Sequence, residues 1–395
     1  MERKIRVGIT HGDINGIGYE VALKALAIPE LTEICTPVFF GSGKVAGFYR
    51  KMLGLDDVPF NVVSDASEAK TGAVNLVNVT AQELRVEPGK ATEESGRAAL
   101  LALDTAVDAM LAGDIDVLVT APINKAAMKL VGFPYPGHTE YLQDKLGGEG
   151  DSATMTFVDG DLRVSLLTVH LPLSQVPGAV TAEALTGKLR QMESMLKRDF
   201  GRERPLIAVL ALNPHAGDGG VIGTEEDEIM RPAIAAAADS GLMASGPYPA
   251  DGFFCSGAWK KFDGVLAIYH DQGLVAFKTL SGPRGVNYTA GLPYVRTSPD
   301  HGTGYDIAGK GKADPESLLH AIYAAIDIFR ARARHDAACA DPLRHVAPEK
   351  GDRRKKGRDN KEQRQTETPR QQDKADDTLK ESGVSKDSPV SMPEE

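Results

Sequence analysis

Short β-branched runs alternate with longer segments of helical period along most of the chain. Ile5–Thr10, Val38–Gly41, Val74–Val79, Val117–Thr120, Thr154–Val158, Val164–Val169, Ile207–Leu212 and Val265–Tyr269 read as strands. Between them, residues 92–112 carry Ala99, Leu100, Leu103, Val107 and Leu111 on one helical face, and 181–200 and 225–238 follow the same period. A helix is also expected over Pro315–Arg334, with Asp314 at its N-cap and Pro315 at its first position. Alternation of this kind predicts an α/β fold with a largely parallel sheet. No repeat and no Pro/Gly/Ser linker interrupts it.

The pattern ends near residue 347. Residues 348–395 hold 12 Lys/Arg and 12 Asp/Glu but only five apolar side chains and no aromatics. Such a segment cannot bury enough surface to offset its ordering entropy, so 348–395 is expected to be a disordered charged tail behind a 1–347 body. The basic cluster Lys350–Arg358 reads as solvated linker. The body then carries the whole net charge of −10, which disfavours a generic nucleic-acid binder. No apolar run approaches the roughly 18 residues of a membrane span, and the N-terminus has no apolar signal region. Cys35, Cys255 and Cys339 are scattered and form no CxxC pair, so no disulfide framework or zinc knuckle is indicated. A cytoplasmic protein is expected.

In a parallel α/β sheet, chemistry gathers beyond the strands' carboxyl ends, and the unusual residues of this chain lie there. Gly41-Ser-Gly-Lys lacks the P-loop spacing, and Gly12, Gly16 and Gly18 do not make GxGxxG; both read as tight turns. His170, His215 and His270 each come one to three residues past an apolar strand. Any one of them alone reads as a hydrogen-bonded loop histidine. Three from equivalent strand ends suit a catalytic divalent metal that polarises a hydroxyl or carbonyl oxygen. Asp251 and Asp271 are candidate carboxylates beside such a site. The string from Asp300 to Pro315 packs four glycines and several charges directly before a helix, which suits a ligand loop, with Asp306 placed to accept a ribose hydroxyl.

That last string resembles the cofactor loop of the isocitrate/isopropylmalate dehydrogenase group, His-Gly-(small)-x-x-Asp-Ile-Ala-Gly-Lys-Gly. The remaining strings resemble one branch of it, the 4-hydroxythreonine-4-phosphate dehydrogenase family. They are Ala121-Pro-Ile-Asn-Lys-Ala, Pro136-Gly-His-Thr-Glu-Tyr, Asn213-Pro-His-Ala-Gly, Pro249-Ala-Asp, Tyr269-His-Asp-Gln-Gly-Leu, Val286-Asn-Tyr-Thr-Ala-Gly-Leu-Pro and Arg296-Thr-Ser-Pro-Asp-His-Gly-Thr. They run in order through the whole body.

The resemblance implies a two-lobed fold with largely parallel sheets and a homodimer that shares its active site. It places metal ligands on His170, His215 and His270, and substrate contacts on His138, Thr139, Lys278, Asn287 and Arg296. The adenosine end of NAD or NADP would meet His301, Gly302 and Asp306, and the metal would be Zn, Mg or Co. The implied reaction is oxidation and decarboxylation of 4-phosphonooxy-L-threonine to 3-amino-2-oxopropyl phosphate, in vitamin B6 biosynthesis. Threonate or erythronate 4-phosphate is the near alternative. A metal-dependent phosphohydrolase is the alternative of another class, and a non-catalytic scaffold displaying the tail is a third. Asp251, Asp271 and Lys125 are the candidate general bases. The chain departs from the family's first loop, Gly-Asp-Pro-(Ala/Ser)-Gly-Ile-Gly-Pro-Glu. Ile14 and Tyr19 replace its prolines, Asn15 its small residue, and Pro136 stands where a small residue is usual before His138.

Overall fold

A computed structural model describes residues 3–56 and 58–341. The expected tail, 348–395, lies outside the described residues. Twelve strands form one sheet. In chain order they are β1 (Arg6–Thr10), β2 (Thr36–Gly41), β3 (Phe60–Val63), β4 (Val74–Asn78), β5 (Val117–Thr120) and β6 (Thr154–Asp159). β7 (Leu162–Leu166), β8 (Ile207–Leu210), β9 (Ala244–Tyr248), β10 (Gly264–Ala267), β11 (Val286–Ala290) and β12 (Val295–Pro299) follow. Their spatial order is β3-β4-β2-β1-β5-β12-β11-β6-β7-β10-β8-β9.

The first six strands of that order are mutually parallel, as are the last four. Between the stacks, β11 and β6 are antiparallel to both neighbours, so the two stacks run in opposite directions. This is the largely parallel α/β architecture that the alternation predicts, and the reversal divides it into two halves.

Packing shows the same division. β2 is buried throughout, with Phe39 facing one core and Val38 and Phe40 the other, as helices on both faces require. On one face a single apolar core crosses the whole sheet, from Val7 and Ile9 through Tyr288 to Val209 and Leu266, beneath helix Glu316–Cys339. On the opposite face there are two separate clusters, one around Phe40, Leu103 and Leu118 and one around Phe157, Val164 and Phe277. The interruption lies over β12 and β11, since Phe157 of β6 belongs to the second cluster.

Helix limits follow the caps. Thr92 accepts from the Ser95 backbone N–H at 3.1 Å and opens Glu93–Leu111; Thr181 does the same for Ala182–Phe200. The last helix runs Glu316–Cys339 rather than Pro315–Arg334, with Pro315 and not Asp314 in the N-cap position, although Asp314 still accepts from the Glu316 N–H at 2.9 Å. The 225–238 segment begins as a π turn, Glu226–Met230, before Arg231–Asp239. β7, expected to reach Val169, ends at Leu166, so His170 stands four residues beyond its strand.

The first loop holds its shape without prolines. Gly12 has φ +65°, and a Cβ there would lie 2.3 Å from the Pro122 carbonyl oxygen, so only glycine fits. Tyr19 is fully buried between His11 and Tyr49, stacked on both rings, and its hydroxyl accepts from the Ser42 N–H at 2.8 Å. The Tyr49 hydroxyl donates to the Ile14 carbonyl at 2.9 Å.

Candidate active site

Strand register assembles the centre of the site. Arg296 on β12 pairs with Thr289 on β11 and with Leu118 on β5, and Thr289 pairs with Met155 on β6. Because side chains alternate faces, Thr120, two residues beyond Leu118, shares Arg296's face, and Asn287 shares Thr289's. This is the face on which the two apolar clusters part. A cavity of about 260 Å³ opens there, lined by Lys125, His138, Thr139, His170, Asn287 and Arg296. His301 and Gly302, from the expected cofactor loop, line it as well.

Arg296 is 2% exposed. Its Nε and one terminal nitrogen donate to Thr120 Oγ1 at 3.1 and 2.6 Å, and the other terminal nitrogen donates to Thr289 Oγ1 at 2.9 Å. All three bonds go to neutral hydroxyls, those of two threonines. Burial pushes its pKa down to about 9, opposed by the negative charge of Glu140. A buried cation without a bonded counter-ion calls for an anionic ligand. Three further atoms on this cavity, His138 Nε2, Asn287 Oδ1 and His301 Nε2, are buried without a hydrogen-bond partner among the described residues. Burial and the Arg296 charge hold the His138 pKa well below the usual imidazole value, so His138 is neutral.

Other expected residues lie beside the cavity. Lys278 is bonded to Asp300, through the carbonyl at 2.9 Å and the carboxylate at 3.1 Å, next to His301. Asp306 is exposed, and its carbonyl accepts from Lys310 Nζ at 2.6 Å. Asp251 and Asp271 line a different, mainly apolar cavity of about 530 Å³. Of the three candidate general bases, Lys125 alone faces the Arg296 cavity. Thr120 and Glu140, also on that cavity, went unassigned in the sequence. Glu140 sits in the quoted Pro136–Tyr141 string and Thr120 at the end of the expected strand Val117–Thr120, but only the register shows which way Thr120 faces.

The strands before the three histidines, β7, β8 and β10, are parallel neighbours and share a carboxyl edge. His170 and His270 face one another with ring centroids 6.2 Å apart. Burial and the charge of Lys125 lower the His170 pKa, and Asp271 Oδ1 lies 2.8 Å from His270 Nδ1, so the donors are imidazoles with one ring oriented by a carboxylate. That donor chemistry fits a divalent ion. His215 sits in a left-handed run, with φ of 53° at His215, 54° at Ala216 and 46° at Asp218, a conformation that non-glycine residues rarely hold. Among the described residues of one chain, no three His, Cys, Asp or Glu side chains are grouped to hold one ion.

The fold and site thus define a two-lobed α/β protein with a cationic small-anion cavity. Residues 33–325 match the family described as pyridoxal phosphate biosynthetic protein PdxA. A Bacteroides thetaiotaomicron protein named 4-hydroxythreonine-4-phosphate dehydrogenase is 51% identical over 351 residues, 89% of this chain and 96% of that one. The crystal structure of 4-hydroxythreonine-4-phosphate dehydrogenase from Klebsiella pneumoniae is 34% identical, with TM-score 0.70, covering 83% of this chain and 98% of that one. A Cutibacterium acnes protein named "Putative D-threonate 4-phosphate dehydrogenase" is 38% identical over 82% of this chain and 94% of its own length. The class is an oxidoreductase of the dehydrogenase type. The chain belongs to the PdxA family. No helix among the described residues is long and apolar enough to cross a membrane.

Proposed function

We propose that this protein oxidises 4-phosphonooxy-L-threonine with NAD or NADP and a divalent metal, followed by loss of CO2 to give 3-amino-2-oxopropyl phosphate. The observation that supports this reading best is Arg296, a buried cation bonded only to hydroxyls, beside three unpartnered buried polar atoms. Arg296 keeps one free N–H on each terminal nitrogen for two oxygens of the substrate's phosphate or carboxylate. Asn287 and Thr139 add directional hydrogen bonds, and neutral His138 accepts or donates without adding charge. Lys125, on the same wall, is the general base we favour, because Asp251 and Asp271 face the other cavity. His170, His215 and His270 would hold Zn, Mg or Co, which when bound polarises the reacting hydroxyl. His301, Gly302 and Asp306 would take the adenosine end of the dinucleotide.

A homodimer completes the site in this reading. Exposed apolar side chains flank each histidine: Leu171 and Leu173 beside His170, Val221 and Ile222 after His215, and Val275 on the helix that begins at His270. Their exposures of 41–81% suit a covering partner. The Cutibacterium acnes relative supports a second reading, threonate 4-phosphate or its erythronate isomer as substrate. Turnover of the amino acid and hydroxy acid phosphates, each with NAD and NADP and with and without chelator, decides between them. Phosphate release that needs no dinucleotide would overturn both and favour a phosphohydrolase.

A further inference from the structure

The first loop, the segment 87–92 and the expected cofactor loop are joined by polar bonds, one set of them through a residue at which this chain departs from its family's pattern. Asn15, which stands where that pattern has Ala or Ser, is fully buried. Its Oδ1 accepts from the Glu87 N–H at 2.7 Å, and its Nδ2 donates to the Lys90 carbonyl at 2.9 Å and to Thr92 Oγ1 at 3.1 Å. From the same loop, the Ile17 N–H donates to the Thr303 carbonyl at 2.9 Å, and Asp13 Oδ2 accepts from the Tyr305 hydroxyl at 2.5 Å. The other Asp13 oxygen accepts from the Asn15 N–H at 2.8 Å. Gly89 closes the triangle: a Cβ there would lie 2.9 Å from the Tyr305 carbonyl oxygen.

Asp13 is 1% exposed, and burial pushes its pKa up, opposed by the Tyr305 hydroxyl. The carboxylate therefore depends on that hydroxyl for one of its few solvating contacts. Removing the hydroxyl leaves a buried acceptor unpaired only while the loops stay together. Separation readmits water, so the penalty falls on the closed arrangement.

We propose that Tyr305 and Asp13 are positioning residues that latch the 301–312 loop onto the first loop in the conformation that receives the dinucleotide. The proposal rests on the cofactor reading above and adds to it the residues that preorganise the loop. Neither Tyr305 nor Asp13 lines the Arg296 cavity, so breaking the latch removes no direct contact to an anion bound at Arg296.

The test is Tyr305→Phe, which keeps the ring and removes one atom. In the full-length protein without cofactor, amide exchange across 301–312 should quicken about tenfold or more, with the melting temperature nearly unchanged. The dissociation constant for NAD, by calorimetry, should rise roughly tenfold, while protection of the protein by inorganic phosphate stays as in the wild type. Asp13→Ala should also quicken exchange and weaken NAD binding, and the double variant should fall short of the sum of the two singles, because the shared Tyr305 contact is lost only once. Unchanged exchange in Tyr305→Phe overturns the latch, and so do additive effects in the double variant. Faster exchange with unchanged NAD affinity overturns the positioning role. A wild type that binds neither NAD nor NADP overturns that role together with the cofactor reading, while the exchange result still separates a latch from its absence.

Discussion

Arg296→Lys tests the anion cavity directly, because it keeps the charge and removes the geometry. Arginine has five N–H donors, and three are spent on Thr120 and Thr289, which leaves two for a ligand. A lysine ammonium has three donors on one atom and cannot reach both threonines and hold two ligand oxygens. One charge-assisted ligand bond and one hydroxyl contact are lost, together about 2–3 kcal/mol, or a fall of about 30- to 160-fold in kcat/KM. Fold stability should change less, since the charge and most of the side-chain volume remain. The buried charge adds a second readout. Depression of the guanidinium pKa to about 9 reports a large cost of holding the empty cavity charged. An anion should recover part of that cost, so phosphate at 100 times its Kd should stabilise the wild type by about 2.7 kcal/mol. Steady-state kinetics and thermal melts with and without phosphate check both numbers. A lysine variant within twofold of wild-type kcat/KM, or a wild type whose melting temperature ignores phosphate, would refute the reasoning.

His170→Ala and His270→Ala should each lower the rate by orders of magnitude and abolish reactivation of chelated enzyme by Zn2+, Co2+ or Mg2+, while NAD binding persists; activity that survives exhaustive chelation would count against the metal. Asp271→Asn should weaken metal affinity about 10–100-fold through the loss of its bond to His270, with most of the rate recovered at saturating metal. Stability should fall as the solution is acidified. Burial pushes the His11 pKa down to about 4 and that of His138 well below 6.5, so below pH 6.5 the unfolded chain takes protons that the folded chain refuses. Each histidine then costs about 1.4 kcal/mol per pH unit, opposed in part by Asp13 and Asp300, whose carboxyls are raised by burial and take protons first in the folded state. Chemical denaturation at pH 7 and pH 5.5 measures this, and equal stability at the two would contradict it.

Local pattern was enough for the strands whose two faces are both apolar. β1, β5, β8 and β10 read directly as short β-branched runs because parallel strands buried on both sides carry no polar alternation. β11 and β12 went unread as strands for the opposite reason. Their alternate positions are polar, with Asn287, Arg296 and Ser298 lining the cavity and Thr289 bonded to Arg296, so the residues that make the site also mask the strands that carry it. β3 and β9 sit at the two edges of the sheet, and both are only partly buried, which weakens their apolar signal.

The motifs named residue types and their order along the chain, and with them Lys125, His138, Thr139, His170, Asn287, Arg296, His301 and Gly302, which fold around one cavity. They did not specify direction. That the two parallel stacks oppose one another follows from the antiparallel pairing of β11 and β6, a long-range contact that no local window contains. The same reversal interrupts the apolar face where Arg296 is buried among hydroxyls, and it turns Asp251 and Asp271 toward a separate cavity. Sequence by itself determined which chemistry is present, because side-chain identity is local. Tertiary structure alone decided which groups meet, because strand order and register are set by burial summed over the whole sheet.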